Sequence, residues 1–340
     1  MTIFSCEHEV SQNFISSSEA AEKTFGRNGS TSLTKNPQRW AVILAGGDGT
    51  RLQTLTRTIS GDDRPKQFCP IVGGRTLLDQ TRRRIARAVP PEQTLTVVTQ
   101  THERFYKPLL KEIPNGRLLV QPENKGTAPA ILFSLLRIAQ LSPNATVAFF
   151  PSDHFFADAT EFMSYIDSAF SAVQLDSNMI TLLGIKPESP EVEYGWIEPV
   201  SSLFGQLPRA ISRVRKFWEK PPEIVARRLM RQGCLWNSFV MIGRVEAFLS
   251  MTQRALPELY ESFAAITPSF GTDLEAMTLN NLYSWIPSTN FSHEVLASRP
   301  EDLTVMQVSD VGWSDLGEPK RVFSTLQRIG LQAHWAAPVA

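Results

Sequence analysis

Five apolar residues, Trp40-Ala41-Val42-Ile43-Leu44, run straight into Ala45-Gly46-Gly47-Asp48-Gly49-Thr50-Arg51-Leu52, and Arg64-Pro65-Lys66-Gln67 follows soon after. A short apolar run bounded by glycines reads as a buried strand ending in a tight turn. Glycines there let backbone N–H groups approach an anion closely, and Arg51 and Lys66 add positive charge, so the turn suits a polyphosphate. Two better-known glycine patterns do not fit. A dinucleotide fingerprint needs a third glycine where Leu52 stands, and a Walker loop needs Gly-Lys-Ser/Thr where Thr50-Arg51-Leu52 stands. Across the whole chain, 34 Lys+Arg balance 34 Asp+Glu, which argues against a nucleic-acid binder working through a global basic field. Between Gly46 and Arg75, however, five basic residues (Arg51, Arg57, Arg64, Lys66, Arg75) outnumber three acids (Asp48, Asp62, Asp63). The excess sits where the turn needs it.

Apolar runs at Leu95 to Thr99, Arg117 to Gln121, Thr146 to Phe150 and Ile180 to Gly184 read as further buried strands. Helical patterns near 76–88, 102–112, 126–140 and 159–175 lie between them. This alternation predicts an α/β fold, a mostly parallel sheet with helices on both faces, in which ligands bind at the carboxyl ends of strands. After about residue 190 the alternation breaks down, with strands at Trp196 to Glu198, Val214 to Trp218 and Phe239 to Gly243 and helices near 222–232, 244–253 and 272–283. Residues 1–37, rich in Ser, Thr, Asn and Glu, read as a disordered extension, 38–320 as the main domain and 321–340 as a C-terminal helix and tail. Three scattered cysteines (Cys6, Cys69, Cys234) suit a reducing compartment and form no zinc motif. With no long apolar span and no signal-peptide pattern, a cytoplasmic protein without membrane contact is expected.

With Arg51 and the second element included, the chain resembles the sugar-nucleotide pyrophosphorylases, whose pattern is G-G-x-G-x-R-L followed by P-K. Within them it is most similar to the mannose-1-phosphate guanylyltransferases, where the second element reads R-P-K-Q-F, here Arg64-Pro65-Lys66-Gln67-Phe68. The resemblance covers roughly residues 39 to 320, with its elements in family order. It implies a Rossmann-like, glycosyltransferase-A-like nucleotidyltransferase fold. Too few residues follow Gly317 for the C-terminal β-helix that many relatives use for assembly, so a monomer or small homo-oligomer is expected. The implied reaction joins GTP and mannose 1-phosphate to give GDP-mannose and pyrophosphate with Mg²⁺. Another hexose 1-phosphate or another NTP is the alternative. A catalytically silent sugar-nucleotide sensor on the same fold is a third reading, but Arg51, Lys66, Asp153, Lys220 and Asp315 are all present.

By resemblance, Arg51 and Lys66 are catalytic cations, and Leu44, Ala45, Gly46, Gly47, Gly49 and Thr50 bind nucleotide. Glu123, Asn124, Thr127 and Ala128 belong to the E-x-x-x-x-T-A-P-A element that lies against the base, and they also read as a good helix N-terminus with Pro129 in the first turn. Asp153, in Pro151-Ser152-Asp153-His154, is placed to hold Mg²⁺ or to cap the next helix, with His154 an orienting group. Asp315, in Trp313-Ser314-Asp315-Leu316-Gly317, is by resemblance the second metal carboxylate, although taken alone a Ser-Asp turn reads as structural. Phe217-Trp218-Glu219-Lys220-Pro221 matches F-x-E-K-P, in which Glu219 contacts sugar hydroxyls and Lys220 the sugar's phosphate. Gly195 and Asn237, in Tyr194-Gly195-Trp196-Ile197 and Trp236-Asn237-Ser238-Phe239, complete the sugar side.

Three departures stand out. Thr54 replaces a usual proline, Phe239 follows Ser238 where the pattern has glycine, and Ser292 and Ala297 stand where relatives carry acids. Glu294 lies close by but is out of register.

Overall fold

The structure is a computed structural model that describes residues 38–202, 211–333 and 335. The expected extension over 1–37 lies outside those residues. Nine strands form one sheet: β1 (Arg39–Leu44), β2 (Thr94–Thr99), β3 (Leu118–Gln121), β4 (Thr146–Pro151), and, passing over β5 (Phe155–Phe156), β6 (Ile180–Ile185), β7 (Trp196–Ser202), β8 (Ile211–Trp218), β9 (Leu235–Arg244) and β10 (Leu303–Val308). Their order is β3-β2-β1-β4-β9-β6-β10-β8-β7, and β5 pairs separately with β11 (Trp313–Ser314). The β3-β2-β1-β4 half is parallel, as the strand–helix alternation predicts. β9 runs antiparallel between β4 and β6, while β10 is again parallel to β6.

The second half closes on itself. β7 pairs with β8 and also with the start of β9, so pairing runs β9-β6-β10-β8-β7 and back to β9. Trp196 therefore faces Trp218 on one neighbour and Trp236 on the other.

Alternation along β1 explains the two layers. Trp40 and Val42 point into one core, with the helices Thr127–Leu141, Val245–Ala255, Pro257–Ile266 and Glu275–Trp285. Ala41 and Ile43 point into the other, with Leu77–Ile85, Ala159–Val173 and Glu223–Arg231. Both faces are covered, which is why these strands read as unbroken apolar runs. A third, smaller core joins Leu52 and Leu55 to Leu316, Val322 and Leu326, so helix Pro319–Arg328 packs under the glycine turn.

Two sequence expectations change. The helix expected over 102–112 is a single turn, Glu103–Tyr106, because Pro108 brings no N–H to continue it. Helix Gln53–Ser60, which the sequence reading did not assign, starts at the glycine turn and puts Thr54 in its first turn, where a proline is equally at home.

Gly184 sits at a register shift between β6 and β9, and a Cβ there would lie 2.7 Å from Leu235 Cδ1 and 2.8 Å from Val305 Cγ2. Gly184→Ala is expected to cost about 1–3 kcal/mol through overpacking, read as a lower Tm by circular dichroism. An unchanged Tm would show that Leu235 and Val305 move aside freely.

Candidate active site

The carboxyl ends of β1, β2, β3 and β4 lie side by side, and the glycine turn leaves β1 at that edge. Gly49 has φ 61, and a Cβ on it would sit 3.0 Å from the Lys66 nitrogen, so only glycine lets the turn pass the Arg-Pro-Lys-Gln segment. Gln67 is buried, and its Nε2 donates to Ala45 O (3.1 Å) and Gly47 O (2.7 Å). It fixes the turn from inside, a role the sequence reading did not assign, although Gln67 stands in the quoted motif.

Of the basic residues around the turn, Arg64 is taken up by Asp62 through two 2.7 Å hydrogen bonds and Arg75 lies 3.5 Å from Asp79. Lys66 turns inward, whereas Arg51 stays half exposed. Lys66 Nζ donates to the Asp315 backbone oxygen at 2.6 Å and lies 3.2 Å from Asp153 Oδ2. One ammonium therefore joins the segment after β4 to the segment at β11. Arg51 Nη1 donates to Glu193 Oε2 at 3.0 Å.

The two aspartates differ in surroundings. Asp153 keeps 24% of its side chain exposed, and among the described residues its Oδ1 pairs with His154 Nε2 alone, at 4.0 Å. Asp315 is buried; its Oδ1 accepts from Tyr194 Oη (2.8 Å) and Gly317 N (2.9 Å) and lies 2.9 Å from Arg321 Nε. Burial pushes the Asp315 carboxyl up, but Lys66, Arg321 and His154, with the Tyr194 hydroxyl, outweigh it and hold it below the ordinary range. The same burial and the Asp315 charge hold the Tyr194 hydroxyl far above its usual pKa. Among the described residues no group of three or more His, Cys, Asp or Glu could hold a metal alone. Asp153 fits a hard cation that takes its remaining ligands from water and phosphate oxygens. The carboxylate of Asp315 is already committed to Arg321 and Tyr194.

Asn237 N donates to Gly195 O (2.8 Å), joining β9 to β7, and Phe217 and Glu219 Oε2 pack where a Gly195 side chain would be. Burial raises the Glu219 carboxyl pKa, opposed by Lys220 and His293. Lys220 has φ 44, a left-handed conformation uncommon for a residue with a side chain. Phe239 has φ 59, so it keeps the backbone conformation that a glycine would adopt without strain. Ser292 is buried in a π-turn, Ser292–Leu296, closed by Ala297 N donating to Ser292 O. Glu294 is exposed on that turn and pairs with His293 at 3.0 Å, so it does not take the place of a buried acid.

Just ahead of helix Thr127–Leu141, Asn124 Nδ2 donates to Asp48 Oδ2 (2.7 Å), and Glu123 pairs with Lys125. Thr127 Oγ1 accepts from Phe291 N (2.8 Å), and Ala128 N donates to Thr289 O (3.1 Å). The helix start is thus partly spent on holding the 289–291 segment. Gly126, with φ 84, is needed there because a Cβ would meet Thr289 O at 2.5 Å. The structure brings together the glycine turn, Lys66, Asp153 and Asp315 through Lys66, and Arg51 and Lys220 through Glu193. Glu193, Tyr194 and Arg321 were not singled out by sequence: Glu193 meets Arg51 and Tyr194 meets Asp315 across more than a hundred residues, and Arg321 reaches Asp315, six residues back, only because the turn before helix Pro319–Arg328 folds the two together.

A family model described as nucleotidyl transferase matches residues 40–330. Mannose-1-phosphate guanylyltransferase 2 of Escherichia coli O157:H7 is 29% identical over 286 residues, 82% of this chain and 58% of that protein. Alginate biosynthesis protein AlgA of Pseudomonas syringae pv. tomato is 26% identical over 280 residues, 81% of this chain and 56% of that protein. The chain thus spans under two thirds of these relatives' length. A solved structure described as mannose-1-phosphate geranyltransferase from Thermus thermophilus superposes with a TM-score of 0.73 at 28% identity, covering 87% of this chain and 80% of that one.

The contrast between the aspartates is measurable. Asp315→Asn is expected to destabilise the protein by about 1.5–3 kcal/mol, since it removes the charge of the buried carboxylate that accepts from Tyr194 and Gly317 and is one of two lying 2.9 Å from Arg321. Asp153→Asn should change stability far less; equal losses in denaturant titrations would contradict this division. His154 gives a pH signature. Burial, with Lys66 and Arg84 adding to it and Asp153 and Asp315 opposing, lowers its pKa to about 4, and it accepts from Trp313 Nε1 at 3.3 Å. Between that value and the unfolded value of ~6.5 the unfolded chain binds the extra proton, so stability falls as pH drops through the window. About 2 kcal/mol should be lost on going from neutral pH to roughly pH 4.5, and His154→Asn should remove that part of the Tm–pH curve.

Proposed function

The chain belongs to the nucleotidyl transferase family, and within it we propose that it transfers a guanylyl group from GTP to mannose 1-phosphate, giving GDP-mannose and pyrophosphate. The observation that carries this is the meeting of the glycine turn, Arg51, Lys66 and Asp153 at one sheet edge with Lys220 across from them. Relatives named for mannose 1-phosphate guanylyl transfer support the choice of nucleotide and sugar. The proposed enzyme is cytoplasmic and monomeric or a small homo-oligomer, with 38–320 as its catalytic domain and 321–340 as a C-terminal helix and tail.

The chemistry asks for charge and position rather than for a general base. A phosphate monoester has its second pKa near ~6, so mannose 1-phosphate is already largely dianionic at neutral pH. The site must hold two anions in line and stabilise charge on the transferred phosphoryl group and departing pyrophosphate. Arg51 and Lys66 take the polyphosphate, with N–H groups of the turn from Leu44 to Thr50 beside them. Glu123, Asn124, Thr127 and Ala128 border the base. Lys220 takes the sugar's phosphate, and Glu219, Gly195 and Asn237 the sugar. Asp153 is the open carboxylate for Mg²⁺, which when bound neutralises polyphosphate charge; Asp315 holds Arg321 and Tyr194 and, through its backbone oxygen, Lys66. A different hexose 1-phosphate is the second reading, favoured by one observation: the π-turn replaces two acids with Ser292 and Ala297 and puts His293 within electrostatic reach of Glu219.

Lys66→Ala and Asp153→Ala are each expected to lower kcat by about 10²–10³ with circular dichroism unchanged. Near-normal turnover in either would remove the assigned role. Pyrophosphate release with Mg²⁺, across GTP, UTP, dTTP, ATP and CTP with mannose or glucose 1-phosphate, tests the substrates. Release confined to GTP with mannose 1-phosphate is expected, and release with another pair would move the assignment to that pair.

A further inference from the structure

The cations assigned to opposite ends of the reaction share one carboxylate oxygen. Glu193 Oε2 lies 3.0 Å from Arg51 Nη1 and 3.7 Å from Lys220 Nζ. The three side chains keep 42–54% of their area exposed, so solvent anions can reach all of them. Arg51 comes from the glycine turn, Lys220 follows β8, and Glu193 lies two residues ahead of Gly195. They meet only because β7 folds back between β8 and β9.

We propose that Glu193 is a resident counter-ion of Arg51 and Lys220, displaced when substrate phosphate binds, and that it sets the site's affinity for phosphate. The identity of the displacing anion rests on the function proposed above; the displacement itself does not. A carboxylate oxygen between a guanidinium and an ammonium has the partners a bridging phosphate oxygen would have. Exposed ion pairs are individually weak, so a monoanionic carboxylate gives way readily to a polyphosphate carrying several charges. It competes better against singly charged anions. Glu193 thereby filters for multiply charged phosphate and limits retention of the pyrophosphate product.

Binding of inorganic pyrophosphate to the full chain, measured calorimetrically at low and high salt, tests this without requiring turnover. Glu193→Gln keeps the size of the side chain and removes its charge. It is expected to bind pyrophosphate about three- to tenfold more tightly than the unsubstituted protein, with the gap shrinking at high salt. Glu258→Gln, on the exposed side of helix Pro257–Ile266, which packs against the other helices of the Trp40–Val42 layer, controls for net charge and should leave binding unchanged. In the pyrophosphate-release assay Glu193→Gln should lower KM for the sugar phosphate with little change in kcat. Equal affinity in the two proteins would overturn the proposal, as would weaker binding, which would make Glu193 an organiser of the cations. Tighter binding by Glu193→Gln in a protein with no turnover on any substrate pair would uphold the counter-ion and sink the assigned reaction. Turnover with no effect of Glu193→Gln on binding or KM would do the reverse.

Discussion

The Lys66 ammonium is the contact on which the candidate site depends. It reaches from a short turn after the glycine loop to the Asp153 carboxylate and to the Asp315 backbone oxygen, 249 residues away in sequence. With 12% of the side chain exposed, this cation is largely removed from water, which is tolerable only because it is paired and hydrogen-bonded. Everything around it serves that condition. Gly49 lets the loop come within reach of Lys66, Gln67 locks the loop from beneath, and Arg321 and Tyr194 fix the residue whose backbone oxygen Lys66 needs. An anion approaching the loop meets a cation already positioned, so little reorganisation remains to be done at the moment of reaction.

The second constraint is topological. A parallel half-sheet supplies one row of strand ends, enough for a nucleotide's phosphates but not for a second substrate facing them. The self-closing run β9-β6-β10-β8-β7 supplies the opposing wall, and the Asn237–Gly195 hydrogen bond fastens its mouth. Strain gathers there: Lys220 and Phe239, two of the four side-chain-bearing residues with positive φ among those described, both lie on this wall. Each left-handed residue of this kind costs about 1–2 kcal/mol. The surrounding pairing must hold it in place, as at other sites where geometry outranks local preference.

Most of the sheet and its two helical layers were legible in the sequence, because strands covered on both faces leave unbroken apolar runs that few other structures share. That Arg51 and Lys66 lie beside the glycine turn was legible too, since all of them fall within one short stretch. What was hidden is how charges pair. Nothing local marks Arg64 as the partner of Asp62 while Lys66, two residues on, turns inward. Nothing local shows that Asp315 would be claimed by Arg321 or that Glu193 would sit between Arg51 and Lys220. The helix expected at 102–112 stops for a simpler reason: Pro108 has no N–H to continue it. At Phe239 the missing glycine was visible in the sequence, but the persistence of the glycine-like backbone was not.

On the proposed reading, these pairings bear on how a chain of zero net charge can assemble two polyanionic substrates. Unpaired cations lining such a site would repel one another and bind any passing anion. Here each of these cations has a protein oxygen: Lys66 has Asp153, Arg321 has Asp315 and Glu191, and Arg51 and Lys220 share Glu193. The degree of burial sorts these pairs by how readily they exchange. Asp315 is buried and Arg321 only 14% exposed, and they stay together as scaffold, tied in by Tyr194, Gly317 and Glu191. Arg51, Lys220 and Glu193 are half exposed and can trade partners at small cost. Lys66 and Asp153 stand between, buried enough to be preorganised and open enough on the Asp153 side to meet a cation arriving with the nucleotide. On the proposed reading, binding is then an exchange of ion partners graded by depth, and the substrate's own charge drives it.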